Sequence, residues 1–196
     1  MSLTDRIRQQ FEDSADTKRM AAAVLAEPVA QAVELMTGAL AADRKILLCG
    51  NGGSAADSQH MAAELVGRFE RERPELAAIA LTTDTSILTA VGNDYGYDQI
   101  FARQVRALGR DGDVLVAIST SGNSVSVLNA VQAAQERGLT VVAMTGRGGG
   151  KLGEMLREQD LHLCAPHQRT ARIQELHLLM IHCICDGIDA SLLGDD

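Results

Sequence analysis

The stretch DVLVAISTSGNS, residues 113–124, decides the fold of this chain. An almost continuous apolar run leads straight into a loop of Ser, Thr, Gly and Asn, and a helical pattern follows. A short apolar run of this kind is typical of a strand that is covered on both faces of a parallel sheet. The stretch therefore predicts a parallel strand, a polar loop at its carboxyl end and a return helix.

The same order occurs twice more along the chain. KILLC at 45–49 precedes GNGGS, and TVVAM at 140–144 precedes TGRGGG, each with a helical pattern after it. LAAIAL at 76–81 and DLHLCA at 160–165 supply two further candidate strands. Repeated strand, loop and helix units predict an α/β fold, a three-layer doubly wound sandwich with a five-stranded parallel sheet.

The remaining segments fit around this sheet as one domain, 1–196. The predicted divisions are N-terminal helices within 1–43 (about 3–23 and 28–42), an α/β core at 44–168 and a long C-terminal helix at 169–192. The last helix is apolar on more than one face, which predicts burial against the sheet and also against a partner chain.

Composition argues against several classes of partner. Aromatic residues make up 3% of the chain, there is no Trp, and the net charge is -8. The chain thus has few aromatic side chains to stack on bases and no excess of Lys and Arg to contact phosphates. We therefore expect no nucleic-acid partner. The N-terminal stretch is charged and lacks an apolar signal segment, and the apolar runs fall short of the ~18 residues of a membrane span. We expect no membrane association and a cytoplasmic location.

The loop after the central strand carries four hydroxyl groups in six residues: Ser119, Thr120, Ser121 and Ser124. Hydroxyls beside the unpaired N–H groups of a helix N-terminus form a cradle for an anion. Helix capping alone is the alternative, since Ser is a common cap. Four hydroxyls exceed what one cap requires, so phosphate binding is favoured.

Three other segments leave their role open. The loop that contains Asn51, Gly52 and Gly53 matches neither a P-loop nor GxGxxG, and either approaches a polyol closely or forms only a tight turn. The glycine-rich loop at 146–150 favours a flexible turn. Asn93-Asp94 follows a short helical pattern and either holds sugar hydroxyls or forms a turn.

His60 and Glu64 lie four residues apart in a predicted helix and therefore share a face. Such a pair is a two-ligand fragment for a metal, although it is weak evidence alone. Gln174, His177 and His182 interrupt the apolar C-terminal helix, where a single His is more often a hydrogen-bonded interior residue. Gln174 and His182 are separated by about 12 Å of helix rise, a separation that a subunit boundary through the site would relax.

Four segments together carry a family resemblance: CGNGGSAADSQHMAAELVGRF, LTTDTSILTAVGNDYGYDQIF, GDVLVAISTSGNSVSVLNAV and ARIQELHLLMIHCICD. They resemble the bacterial phosphoheptose isomerases of the sugar-isomerase (SIS) domain superfamily, over about residues 7–192. STSGNS alone marks only the superfamily.

The resemblance implies a homotetramer with active sites between subunits, one Zn²⁺ per subunit, and conversion of sedoheptulose 7-phosphate to D-glycero-D-manno-heptose 7-phosphate. That reaction is the first step toward ADP-heptose for lipopolysaccharide. The implied metal ligands are His60, Glu64, Gln174 and His182. The implied substrate contacts are Asn51, Gly52, Gly53, Glu64, Asn93, Asp94, Ser119, Thr120, Ser121, Ser124 and Gln174.

Aldose–ketose interconversion through an enediol needs a base at carbon and an acid that serves the oxygens. We assign Glu64 as the base and His182 as the acid and base at the oxygens. A carboxylate held on a metal is a poorer base, so either Glu64 loosens from the metal or the metal polarises the carbonyl.

A non-catalytic alternative comes from a second resemblance. The SIS-domain protein that associates with the bacterial replication initiator has a similar length and a similar RIQE-x-H ending. The glutamate of its QH-x-x-x-E motif is replaced, whereas this chain keeps Glu64 together with His182. This favours the enzyme over an initiator-binding protein. A sugar-phosphate sensor would carry an added DNA-binding domain, for which the sequence gives no sign.

Overall fold

A computed structural model describes residues 1–194 and contains one parallel sheet with the strand order β2-β1-β3-β4-β5. The strands are β1 (Ile46–Gly50), β2 (Ala78–Ala80), β3 (Val114–Ser119), β4 (Thr140–Thr145) and β5 (Leu161–Cys164). The helices are α1 (Leu3–Ala41), α2 (Gly53–Val66), α3 (Thr85–Tyr95), α4 (Ala102–Leu108), α5 (Val125–Glu136), α6 (Gly150–Glu154) and α7 (Thr170–Leu193). All five predicted strands are therefore confirmed.

Alternate residues of each strand point to opposite faces of the sheet. Both faces are apolar, and helices cover both of them. Ile46 and Val116 pack into one apolar cluster with α1, α2 and α7. Leu47 and Leu115 pack into a second cluster with α4, α5 and α6. This arrangement confirms the predicted three-layer sandwich and explains why the central strands are apolar without alternation.

The N-terminal region is one helix of 39 residues, so the prediction of two separate helices is wrong. The second predicted helix begins at Pro28, which cannot donate a backbone hydrogen bond and costs about 3 kcal/mol inside a helix. The helix continues because residues on both sides of the proline, among them Leu25 and Met36, are buried in the same apolar cluster. Tertiary packing outweighs the local cost.

Two helices, α1 and α7, are long and apolar enough to cross a membrane by length and composition alone. Both also supply side chains to the buried cluster on one face of the sheet. A core helix passes the same test, so this finding is weak evidence for a membrane span.

A buried ion pair closes the amino end of the sheet. Lys45 Nζ lies 2.6 Å from Asp113 Oδ2, and the backbone N–H groups of Lys45 and Arg110 donate to the same carboxylate. Burial alone would raise the pKa of Asp113, but these hydrogen bonds outweigh burial and leave that pKa below its ordinary value.

Replacing Asp113 with Asn is expected to lower the free energy of unfolding at neutral pH by about 2–3 kcal/mol. The folded-state pKa of Asp113 is depressed, so its contribution is present above the unfolded pKa of about 4 and is lost as pH falls through the folded value. The difference between wild type and Asp113→Asn in urea melts should therefore shrink below about pH 4. A difference that stays constant down to pH 2 would contradict this account.

Candidate active site

The crevice between β1 and β3 is the point at which the strand order reverses, where doubly wound sheets bind ligands. The loop after β1 enters it with Asn51. Asn51 Nδ2 donates to Ser126 Oγ at 2.9 Å, and Tyr97 Oη donates to Asn51 Oδ1 at 2.8 Å. The nitrogen and the oxygen of the Asn51 amide are thus both held by hydrogen bonds. The loop after β1 therefore fixes a polar side chain in the crevice and is more than a tight turn.

The loop at 119–124 lies beside it, at the N-terminus of α5. Ser119 Oγ donates to Ser124 Oγ at 3.2 Å, and Ser121 Oγ accepts from the Asn123 backbone N–H. Ser124 is the N-cap residue of α5, yet within the described chain its side chain makes no capping hydrogen bond. The capping explanation is therefore not supported for Ser124, which stands at a helix N-terminus suited to an anion.

A second loop packs against the first one. Residues 146–150 form a turn, as predicted, in which the Gly149 N–H donates to the Gly146 carbonyl at 2.9 Å, but this turn also contacts the hydroxyl loop. Gly122 has φ +66°, and an added Cβ would overlap the carbonyl of Gly149. The Leu152 N–H donates to the Gly122 carbonyl at 2.9 Å, and the Lys151 N–H donates to Asn123 Oδ1 at 3.1 Å. The start of α6 therefore fixes the shape of the hydroxyl loop.

Substitution of Gly122 by Ala is expected to distort the loop, because alanine meets both a strained φ and the Gly149 carbonyl. The expected result is a rise of about tenfold or more in the concentration of inorganic phosphate that protects the protein from thermal unfolding. Gly148 also has positive φ but has open space at its Cβ position, so Gly148→Ala is the matched control. Equal phosphate protection in both variants would contradict a role for the loop in anion binding.

The second cluster of polar groups spans α2 and α7. His60 Nε2 lies 2.9 Å from His182 Nε2 and 3.3 Å from Glu64 Oε1. The Glu64 side chain is 21% exposed and that of His60 is 41% exposed, so solvent-sized molecules reach both. The ring of Phe69 packs 5.6 Å from that of His182. The structure thus brings together three of the four predicted metal ligands and both predicted catalytic residues.

The fourth predicted ligand lies near the start of α7, whereas His182 lies near its middle. The Gln174 side-chain amide packs against Gly53, at the start of α2, so closely that a Cβ at Gly53 would overlap it. Among residues 1–194, Gln174 makes no hydrogen bond to His60 or His182, as the separation along the helix predicts.

Three other polar residues considered in the sequence, His177, Asn93 and Asp94, lie outside both clusters. His177 is a buried interior residue whose Nε2 lies 2.9 Å from the Thr145 carbonyl oxygen, and burial lowers its pKa. Asn93 and Asp94 lie in the last turn of α3 rather than after it. Their side chains are exposed and hydrogen-bond to each other at 2.8 Å. Within one chain they face solvent.

The side chains of this site are of the types that bind a metal ion, although they are not already arranged around one position. No preformed group of three or more His, Cys, Asp or Glu side chains that could hold a metal ion occurs in the described part of the chain. The Nε2 atoms of His60 and His182 nevertheless face each other with the Glu64 carboxylate beside them. Two imidazoles and a carboxylate are ligands that Zn²⁺ prefers, and small side-chain shifts would admit an ion.

One nearby carboxyl was missed by the sequence analysis. Asp57 lies one turn before His60 on α2, and its Oδ2 is buried without a hydrogen-bond partner among the described residues. Burial raises the pKa of Asp57, and the neighbouring His60 works against that rise. The i, i+3 spacing of Asp57 and His60 was a signal that could have found it. Tyr97 and Ser126 left no comparable signal, because their contact with Asn51 depends on tertiary structure.

Fold and site together define a doubly wound domain with a hydroxyl-rich loop at the point where the strand order reverses and a His–Glu–His cluster on two adjacent helices. A family model described as the SIS domain matches residues 10–146. The phosphoheptose isomerase of Azoarcus sp. (strain BH72) is 66% identical over 194 residues, covering 99% of this chain and 98% of that protein.

Solved structures agree with this match. The phosphoheptose isomerase of Neisseria gonorrhoeae is 58% identical with a TM-score of 0.92, covering 96% of this chain and 100% of that one. The enzyme from Francisella tularensis is 46% identical with a TM-score of 0.94, covering 96% and 99%. The chain belongs to the SIS domain family and, within it, to the phosphoheptose isomerases. The initiator-binding alternative is not favoured by these relatives.

Proposed function

We propose that the protein converts sedoheptulose 7-phosphate to D-glycero-D-manno-heptose 7-phosphate. The observation that carries the proposal is the contact of His60, Glu64 and His182 across α2 and α7, in a chain that also builds a hydroxyl-rich anion loop. Relatives that carry the name phosphoheptose isomerase, at 60–66% identity over nearly the whole chain, support the same reaction.

The chain's own residues divide the work between the two ends of the substrate. The loop at 119–124 holds the phosphate, so that its binding energy fixes the reactive end. Glu64 removes the proton from C1, that proton exchanges with solvent on the partly exposed carboxyl group, and Glu64 then delivers a proton to C2 of the enediol. His182 moves protons at the O1 and O2 atoms, which exchange roles between carbonyl and hydroxyl. Each group thereby serves a different atom of the same two-carbon unit.

We propose Zn²⁺ as the cofactor, held by His60, Glu64 and His182 with Gln174 as a further donor. When bound there, the ion supplies a Lewis acid that polarises the substrate carbonyl. Dialysis against a chelator should remove turnover, and one equivalent of Zn²⁺ should restore it, with the metal content measured by mass spectrometry. Full turnover in protein shown to be metal-free would contradict the assignment.

A distance argument supports a site that two chains share. Glu64 lies eleven residues beyond Gly53, or about 16 Å along α2 from the crevice that holds the phosphate loop. An extended heptose phosphate spans only roughly 10 Å from C1 to its phosphorus atom. The phosphate loop of one chain and the Glu64–His182 pair of the same chain are thus poorly placed for one substrate. The position of Gln174, away from His182, leads to the same conclusion.

Exposed apolar groups on the first and last helices provide a surface for such an assembly. Phe11 is 74% exposed and Val24 is 56% exposed on α1, and Leu179 on α7 is 40% exposed. Lys18, Leu25 and other side chains line a shallow apolar groove of about 180 Å³ between the two helices. Apolar surface of this kind is typical of an interface between copies, and we propose a homotetramer.

Mixing two inactive variants tests the shared site. Glu64→Gln removes the proposed base, and the double variant Ser121→Ala, Ser124→Ala removes phosphate-loop hydroxyls. Co-refolded mixtures of the two should regain up to about a quarter of wild-type turnover, because some sites combine two intact halves. Turnover in the mixture that stays at the sum of the separate variants would show that each site lies within one chain.

The biological setting follows from the reaction. We propose that the product feeds ADP-heptose synthesis for lipopolysaccharide, and that the protein acts in the cytoplasm, where phosphorylated sugars are found. Loss of the gene should then truncate the lipopolysaccharide core, and the wild-type gene but not the Glu64→Gln form should restore it. Unchanged lipopolysaccharide in the deletion strain would contradict this setting.

A further inference from the structure

An arginine outside the predicted site connects its two helices. Arg73 lies in the segment 67–77 between α2 and β2, and its side chain is 1% exposed. Its Nε donates to Asp189 Oδ1 at 2.5 Å, Nη2 donates to the Glu64 carbonyl at 2.7 Å, and Nη1 donates to the Leu65 carbonyl at 2.9 Å. One guanidinium therefore binds α2 and α7 at once.

The positions of these partners relate directly to the His–Glu–His cluster. Glu64 and Leu65 lie in the last turn of α2, where carbonyl groups lack donors within the helix. Asp189 follows His182 by seven residues, which is two turns, so both lie on the same face of α7. Arg73 thus ties the backbone of Glu64 to the face of α7 that carries His182.

Directional contacts matter here because, apart from the His60–His182 contact and the Gln174 amide against Gly53, much of the α2–α7 contact is apolar. Met61 and Leu65 of α2 belong to the same buried cluster as Ile181 and Ile184 of α7. Apolar burial is not directional, so it tolerates small sliding or rotation of one helix against the other. The three hydrogen bonds from Arg73 to Glu64, Leu65 and Asp189 do not tolerate such movement.

Stability alone is a weak explanation for this ion pair. Burying an arginine and an aspartate costs desolvation that often equals what their attraction returns. Asp189 Oδ2 is also buried without a hydrogen-bond partner within residues 1–194. The best-attested use of a buried ion pair is to specify one geometry among several.

We propose that Arg73, held by Asp189, is a positioning residue that fixes Glu64 against His182. This inference rests on the proposed isomerase function, because it assigns the pair an effect on turnover. Arg73 does not touch the substrate in this account, and it acts only through the backbone of α2. Small displacements of reacting groups cost large factors in rate, which sets the size of the expected effect.

The test compares Arg73→Met, Arg73→Lys and Asp189→Asn with the control Asp113→Asn, which breaks another buried ion pair at the amino end of the sheet. Each is assayed on sedoheptulose 7-phosphate well below its melting temperature. We expect kcat to fall about 30-fold or more in Arg73→Met with KM within about threefold of wild type. Arg73→Lys keeps the positive charge but loses the forked guanidinium. Its kcat should therefore lie between those of wild type and Arg73→Met.

A double-mutant cycle separates an effect on the position of Glu64 from a general loss of stability. Arg73→Met and Asp189→Asn should be strongly non-additive in kcat, since they remove one connection. Asp113→Asn should melt earlier with kcat within about twofold of wild type. Wild-type kcat in folded Arg73→Met, or an equal loss in Asp113→Asn, would overturn the inference. Absence of turnover in the wild-type protein would instead overturn the proposed function.

Discussion

Glu64→Gln is expected to reduce kcat on sedoheptulose 7-phosphate by about 10³-fold or more. Glutamine keeps the shape of the side chain but cannot accept the C1 proton, so the chemical step loses its base. The fold should remain, because the Glu64 side chain is partly exposed and its ion pair, with His60 at 3.3 Å, lies at the surface of α2. Initial rates and a thermal melt of the same sample check both statements.

Glu72→Gln is the matched control for this variant. Glu72 lies eight residues further along the chain, pairs with Arg68 at 2.9 Å and is 87% exposed. An exposed ion pair contributes little, so both kcat and the melting temperature should stay near wild type. Turnover of Glu64→Gln within tenfold of wild type would contradict the assignment of Glu64 as the base.

His182→Gln carries the second largest expected effect, a loss of about 10²–10³-fold in kcat. The amide can form hydrogen bonds but cannot exchange a proton with the O1 and O2 atoms of the substrate. The contact of 2.9 Å between His182 and His60 is also lost, which removes one of two imidazoles from the α2–α7 cluster. KM should change by less than about threefold, because the phosphate loop lies elsewhere.

His167→Gln provides the comparison for a histidine outside the cluster. His167 lies in the turn before α7, and its Nδ1 accepts a hydrogen bond from the Arg169 N–H at 2.9 Å. Its loss should leave kcat within about twofold of wild type. Equal losses in His167→Gln and His182→Gln would indicate that helix α7 as a whole, rather than the His182 imidazole, governs turnover.

Periodicity and loop chemistry were enough to predict the sheet. The apolar runs of β1, β3 and β4 are buried on both faces, and the polar loops after β1 and β3 meet at the switch point as the strand order requires. The predicted gap between residues 23 and 28 of α1 does not occur, because apolar packing on both sides of Pro28 continues the helix. The bounds of short edge elements also shifted, with β2 reduced to three residues.

The site was less accessible to sequence reasoning. Spacing placed His60 and Glu64 on one face of α2, but only the fold shows His182 within reach of His60. The close contact of Gly149 with Gly122 arises because β3 and β4 are neighbours in the sheet. Residue spacing in the sequence does not reveal this contact. Arg73 likewise stands in an irregular segment, so its four hydrogen bonds are a property of tertiary structure.

The central claim is that this chain moves a proton between C1 and C2 of a heptose phosphate by way of Glu64. Its most direct test is incubation of the zinc-loaded protein with sedoheptulose 7-phosphate in D₂O, with the product followed by NMR. The account predicts D-glycero-D-manno-heptose 7-phosphate that carries deuterium at C2, and no such product with Glu64→Gln. Product without deuterium at C2, or no conversion by the wild-type protein, would contradict it.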